Sequence, residues 1–91
     1  MTAAEMATEI GKLTIANPDW RHDLGNGIGV RVTFHQGPRR GWYSIYAHRL
    51  GERGSLINKG SLIKKRHPTA YTAEAAGKKA RALARKHGGI S

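Results

Sequence analysis

The stretch from Gly27 to Leu50 constrains the fold most tightly. Ile28, Val30, Val32 and Phe34 alternate with Gly29, Arg31, Thr33 and His35, and a Gly37-Pro38-Arg39-Arg40-Gly41 run follows. Side chains that alternate with a period of two on a β-branched-rich run mark a strand with one buried face. Beyond the turn, Tyr43, Ile45 and Ala47 continue the apolar set, while Trp42, Ser44, Tyr46 and His48 fall on the other side. The segment therefore reads as a hairpin whose second face carries Arg31, His35, Trp42, Tyr46 and His48, with Arg39 and Arg40 at its tip. Flat rings beside positive charge suit nucleic acid, through base stacking and phosphate attraction. The plainer alternative is that Trp42 and Tyr46 cover a second core beneath the N-terminal helix. Both readings are open at the level of sequence.

Charge narrows the partner class. Residues 1–30 hold Lys12 and Arg21 against Glu5, Glu9, Asp19 and Asp23, a net of −2, whereas residues 31–91 hold fourteen bases against Glu52 and Glu74, a net of +12. A segment with so one-sided a charge attracts polyanions, and like charges oppose compaction, so a merely solubilising role explains it less well. At 91 residues the chain is a single small basic domain, residues 1–91. It has no cysteine, hence no disulfide framework and no thiolate zinc site, which suits a reducing cytoplasm. No apolar run approaches the ~20 residues of a membrane span, and the first residues lack the pattern of a secretory leader. A cytoplasmic protein without membrane association is expected.

Taken in order, Thr2-Ala3-Ala4-Glu5 fits a capping box, and Met6, Ile10 and Leu13 give an apolar stripe on a helix of about residues 3–16. A helix that begins with its own cap at residue 2 suggests a complete protein. Asn17-Pro18 stops the helix. Residues 17–26 read as a polar connection anchored by Trp20. Asp19, His22 and Asp23 within it lack the spacing of a metal site. Residues 54–65 contain a doubled Gly-Ser-Leu-Ile motif, which reads as one bulged strand or as two short strands joined at Asn58-Lys59-Gly60; the favoured reading is a third meander strand near 61–66, ending in Lys64, Lys65 and Arg66, with the first copy ambiguous. His67-Pro68 breaks that strand. Thr72 is a plausible N-cap for a final helix of about residues 73–87. Ala73, Ala76, Ala80, Leu83 and His87 line one side; Lys78, Arg81, Ala82, Arg85 and Lys86 line the other, with Lys79 at the border. Gly88-Gly89 ends it. The predicted architecture is α+β: an N-terminal helix, a three-stranded antiparallel meander and a C-terminal basic helix.

That α-β-β-β-α order resembles the double-stranded-RNA-binding domain. Gly37-Pro38 is similar to the family's Gly-Pro turn, and Gly77-Lys78-Lys79-Ala80-Arg81-Ala82 resembles its lysine-rich helix start, although the lysine pair falls a turn inside the helix. Trp42-Tyr43-Ser44-Ile45-Tyr46 ahead of Tyr71-Thr72-Ala73-Glu74-Ala75 resembles the arm-type DNA-binding domains of phage integrases, which are modules of longer chains. By size, charge and lack of cysteine the chain also resembles phage-encoded anti-CRISPR inhibitors, some of which dock on the guide-RNA-bearing backbone of multi-subunit surveillance complexes. These resemblances imply RNA, DNA or an RNA–protein complex as partner, with RNA favoured, and a bacterial host cytoplasm if phage-encoded.

Catalytic patterns are thin. Glu52 and Glu74 are too few for the carboxylate pairs of a metal-dependent nuclease, and no Ser-His-Asp pattern, phosphate loop or His-Glu-x-x-His occurs. One enzymatic alternative stands, a metal-free toxin-type ribonuclease with His35 or His48 as general acid/base. The expected function is non-catalytic binding of nucleic acid or a ribonucleoprotein, most concretely a phage-type inhibitor that blocks target binding by a surveillance complex. A stand-alone RNA- or DNA-binding domain is the alternative. No cofactor or metal is expected. The expected contact residues are Arg31, Arg39, Arg40, Trp42, Tyr46, Lys64, Lys65, Arg66, Lys78, Lys79, Arg81, Arg85 and Lys86.

Overall fold

The computed structural model describes residues 1–50 and 68–88, in which two helices lie on one face of an antiparallel sheet. Helix α1 (Ala3–Ile10) starts at a reciprocal cap. The Glu5 amide donates to the Thr2 hydroxyl at 3.1 Å and the Thr2 amide donates to the Glu5 carboxylate at 2.8 Å. The apolar stripe predicted a longer helix, but α1 ends at Ile10 and Gly11 caps it. Glycine favours leaving the helix, and the Lys12 and Leu13 amides turn back onto the Glu9 and Ile10 carbonyls. Leu13 still packs on the core from beyond the helix.

Residues 17–26, expected as a connection, contain a strand: β1 (Asp19–Asp23) pairs antiparallel with β2 (Ile28–Gln36). Trp20 lies opposite Val32 and His22 opposite Val30, so both face the core, while Asp19, Arg21 and Asp23 face the other way. Charge at three of its five positions hides this alternation in the sequence. Trp20 anchors the strand as expected, at 8% exposure, and its indole N–H donates to Glu9 at 2.7 Å. Gly25 and Gly27, with φ of 82° and 83°, supply the left-handed backbone of the β1–β2 turn.

Strand β3 (Gly41–Arg49) pairs with β2 in the register that alternation predicts. Val30, Val32 and Phe34 meet Ala47, Ile45 and Tyr43 on one face; Arg31 and His35 meet Tyr46 and Trp42 on the other. A short β4 (Thr69–Ala70) pairs with β3 and completes a four-stranded sheet of order β1-β2-β3-β4. The strand predicted near 61–66 lies outside the described residues, as do the earlier Gly-Ser-Leu-Ile copy and Gly89.

Helix α2 (Ala73–Lys86) begins at Thr72, whose hydroxyl accepts the Ala75 amide at 3.1 Å. It buries Ala76, Gly77, Ala80 and Ala84, with Ala73 and Leu83 only partly covered, so the packing stripe is centred slightly off the expected one. Gly88, at φ 84°, follows the helix. The Asn26 amide in the β1–β2 turn donates to the His87 carbonyl at 2.8 Å, tying the helix end to the sheet. Met6 and Ile10 of α1 join Val30, Val32 and Ile45 in one core. The alternative of a second core under the N-terminal helix is therefore not what forms: α1 lies on the face opposite Trp42 and Tyr46.

The two helices cross closely at Gly77. A Cβ there would stand 2.7 Å from the Ala3 carbonyl oxygen and 2.8 Å from the Ala7 Cβ, and backbone cannot swing aside as a flexible side chain would. Gly77→Ala should therefore lower the melting temperature by several degrees, because overpacking of ~1–3 kcal/mol outweighs the ~1 kcal/mol gain in helix propensity. A higher melting temperature in this variant would mean that the helices do not meet at residue 77.

Candidate nucleic-acid interface

The sheet face away from the helices is a grid set by register. One row runs Asp19, Thr33, Ser44 and Thr69; the next runs Arg21, Arg31 and Tyr46; His35 and Trp42 form a third. Alternation thus collects Arg31, His35, Trp42, Tyr46 and His48 on one face, as the sequence implies. The rings contact one another within it. His35 stacks on Trp42 at 4.2 Å between centroids and 20° between planes. Tyr46 meets His48 edge-on at 4.8 Å, and the Arg31 guanidinium carbon lies 5.9 Å from the Tyr46 centroid. His35 Nε2 is 3.0 Å from the buried Ser44 hydroxyl. Burial, then the nearby Arg31 charge, holds the His48 imidazole below its ordinary 6.5, which leaves it neutral at physiological pH.

Strand β1 changes the electrostatics of this face. Arg31 pairs with Asp19 at 2.9 Å, and Arg21 pairs with Asp23 at 3.0 Å. The Thr33 hydroxyl donates to Asp19 at 2.9 Å and lies 2.7 Å from the Tyr46 hydroxyl. Partial burial alone would raise the Asp19 pKa, but the Thr33 hydrogen bond and the Arg31 guanidinium outweigh it and hold the carboxyl below 3.8. The open depression between Asp19, Trp20, Arg21 and Arg31, about 230 Å³, is consequently lined by a carboxylate as well as two guanidinium groups. Arg31 is committed to an internal pair, and the aromatic face is less cationic than its own strands suggest. Asp19, Arg21 and Asp23 were missed because residues 17–26 read as a loop.

The opposite situation holds on α2. Lys78, Lys79, Arg85 and Lys86 are exposed, and Arg81 is half-exposed. At 1.5 Å per residue, Lys78, Arg81 and Arg85 form a row about 10 Å long on one side of the helix. The only carboxylate paired with this row among the described residues is Glu74, which meets Lys78 at 3.6 Å with both side chains largely solvated. Such an exposed pair contributes little. The Lys79 ammonium donates to the Thr69 carbonyl, which places it over the β4 edge. Arg39 and Arg40 project from the exposed β2–β3 turn, and the Arg40 guanidinium carbon sits 4.1 Å from the ring centroid of Tyr71, ahead of α2. Tyr71 was not among the expected contact residues; its 61% exposure is not readable from sequence. Lys64, Lys65 and Arg66 lie outside the described residues.

Among the described residues, no three His, Asp or Glu side chains come together to hold a metal ion, and no helix is long and apolar enough to cross a membrane. The geometry defines a small α+β domain with an aromatic, internally neutralised sheet face and a one-sided basic helix. The chain matches no protein-family model, no curated protein and no solved structure.

Asp19 makes the sheet network pH-sensitive. A carboxyl whose folded pKa is depressed stabilises the fold above its unfolded value, and that contribution disappears as the pH falls through the folded value. Asp19→Asn should therefore melt lower than wild type at pH 7, by an amount equivalent to under ~1 kcal/mol for so exposed a pair. The gap should close as the pH drops below the ordinary 3.8. A difference that stays constant from pH 7 to pH 2 would show that the Asp19 charge plays no part in holding β1 to β2.

Proposed function

We propose that this protein is a non-catalytic nucleic-acid-binding domain whose phosphate contacts come from the exposed side of α2 and from the β2–β3 turn. One observation supports this reading above the others: every described carboxylate is engaged within the domain, while three arginines of the helix and the turn face no described carboxylate. Glu5 caps α1, Glu9 accepts the Trp20 indole, Asp19 and Asp23 hold Arg31 and Arg21, and Glu74 meets Lys78. Among the described residues, Arg39, Arg81 and Arg85 have no carboxylate within ion-pair distance. Their fields add, and a row of such charges along a helix suits the regular spacing of a phosphate backbone. A guide-RNA-bearing complex offers the same chemistry, so the inhibitor seen by resemblance is one form of this function. Pull-down with and without nuclease separates a captured ribonucleoprotein from bare nucleic acid.

The test is a fourfold variant, Lys78→Gln, Arg81→Gln, Arg85→Gln and Lys86→Gln, measured by salt-dependent binding and by melting. Each phosphate contact contributes about 0.7–0.9 to the slope of log K against log salt, so the variant should lose roughly 3 from that slope and bind weakly at physiological salt. Its melting temperature should change little, since exposed positions contribute little to stability. Wild-type affinity and slope in this variant would remove α2 as the binding surface. RNA should remain intact during these incubations; cleavage that disappears in His35→Ala would overturn the non-catalytic reading in favour of general acid/base chemistry.

A further inference from the structure

A tight turn places an arginine on an exposed ring beside the aromatic sheet face. The Gly37 amide donates to the Arg40 carbonyl at 3.0 Å, and a Cβ at residue 37 would stand 2.9 Å from that oxygen, so the turn needs glycine there. The turn carries Arg40 to Tyr71, where its guanidinium carbon lies 4.1 Å from the ring centroid. The β3–β4 register pairs Ser44 with Thr69 and Tyr43 with Ala70; continued by one residue it brings Tyr71 level with Trp42. Trp42 is itself half-exposed and stacked on His35. One aromatic stack and one ring covered by a cation thus lie at the same end of the sheet. Arg39 and the Lys79 ammonium lie at the same end, through the turn and through Thr69.

We infer that Tyr71–Arg40 and Trp42–His35 form a base-stacking platform, and that the nucleic acid this protein takes is single-stranded. The inference rests on the proposed nucleic-acid binding and specifies its form. In a duplex the base faces are occupied by neighbouring bases, so exposed rings and a flat guanidinium gain nothing from them. A single strand presents unstacked bases that lie on Tyr, Trp or Arg planes while its phosphates reach nearby cations. Tyr71, 61% exposed, serves no packing purpose large enough to explain a ring held at that position by a cation. The α2 row then follows the phosphates away from the platform.

The experiment compares wild type, Tyr71→Ala and Tyr71→Phe for binding to oligo(dT), oligo(U), a mixed-sequence duplex and inorganic polyphosphate, with melting to confirm the fold. Tyr71→Ala should lose roughly tenfold or more in affinity for at least one single strand, the effect of removing one stacked base, and less than about twofold for duplex and polyphosphate. Tyr71→Phe, which keeps the ring, should bind like wild type. Equal binding of the single strands by wild type and Tyr71→Ala overturns the platform and leaves the basic-helix reading standing. An equal loss on all four probes overturns it as well, since Tyr71 would then only position charge. Failure of wild type to bind any probe overturns this inference and the proposed function together.

Discussion

The packing of α2 through small side chains is the constraint on which the rest of the structure depends. Ala76, Ala80 and Ala84 face the sheet, and Gly77 faces α1 with no room for a methyl group. Alanines bring little apolar area each, so the bulk of the core is supplied by Met6, Ile10, Trp20, Val30, Val32 and Ile45. The helix is a lid of small residues over large ones contributed by its neighbours. That division leaves its long side chains, nearly all basic, to the solvent side. A helix with Leu or Ile at the buried positions would stand further from the sheet and lose its contact with α1.

The same economy of contacts governs the acids. Each described carboxylate is placed where the fold has an unsatisfied donor or a cation to hold: a helix start, an indole N–H and two sheet arginines, with Glu74 in the first turn of α2, where the helix dipole favours negative charge. The Glu5 carboxyl is held below its ordinary 4.5 by the Thr2 backbone and hydroxyl it caps. The described acidity of residues 1–30 is therefore structural, and among the described bases of residues 31–91 Arg31 is held by it while Arg39, Arg81 and Arg85 face no carboxylate. The split that appears in the sequence as a charge gradient appears in three dimensions as a division between a neutralised sheet face and a helix whose exposed side is predominantly basic.

Much of this was legible in the residues because local rules and tertiary contacts agree there. The hairpin register, the Thr2 and Thr72 caps and the basic side of α2 all follow from periodicity and side-chain chemistry acting over a few positions. The short first helix and β1 were not legible. Met6, Ile10 and Leu13 satisfy one apolar patch whether or not the last of them is helical. In β1, the two core-facing positions are Trp20 and His22, and their alternation is masked by Asp19, Arg21 and Asp23. Missing β1 also inflated the apparent charge of the aromatic face, because the carboxylates that neutralise Arg21 and Arg31 enter on that strand. Tyr71 could not be singled out either, since its value lies in what Arg40, thirty-one positions earlier, does to it.

A structural explanation of the α2 bases has to be weighed against a binding one. The C-terminal end of a helix carries partial negative charge, and cations in its last turn are favourable by ~0.3–1 kcal/mol. Arg85 and Lys86 occupy that turn, and the dipole accounts for them. It does not account for Lys78 and Arg81, which lie before the last turn, where the dipole effect has faded. Nor does it account for Arg39 and Arg40, which are on a different element and add to the same field. Helix propensity could be met by Glu or Gln as well as by Lys or Arg, with less self-repulsion in a chain already at +10. Cations stand at these positions where neutral or acidic residues would serve the helix as well, so the fold alone does not call for them.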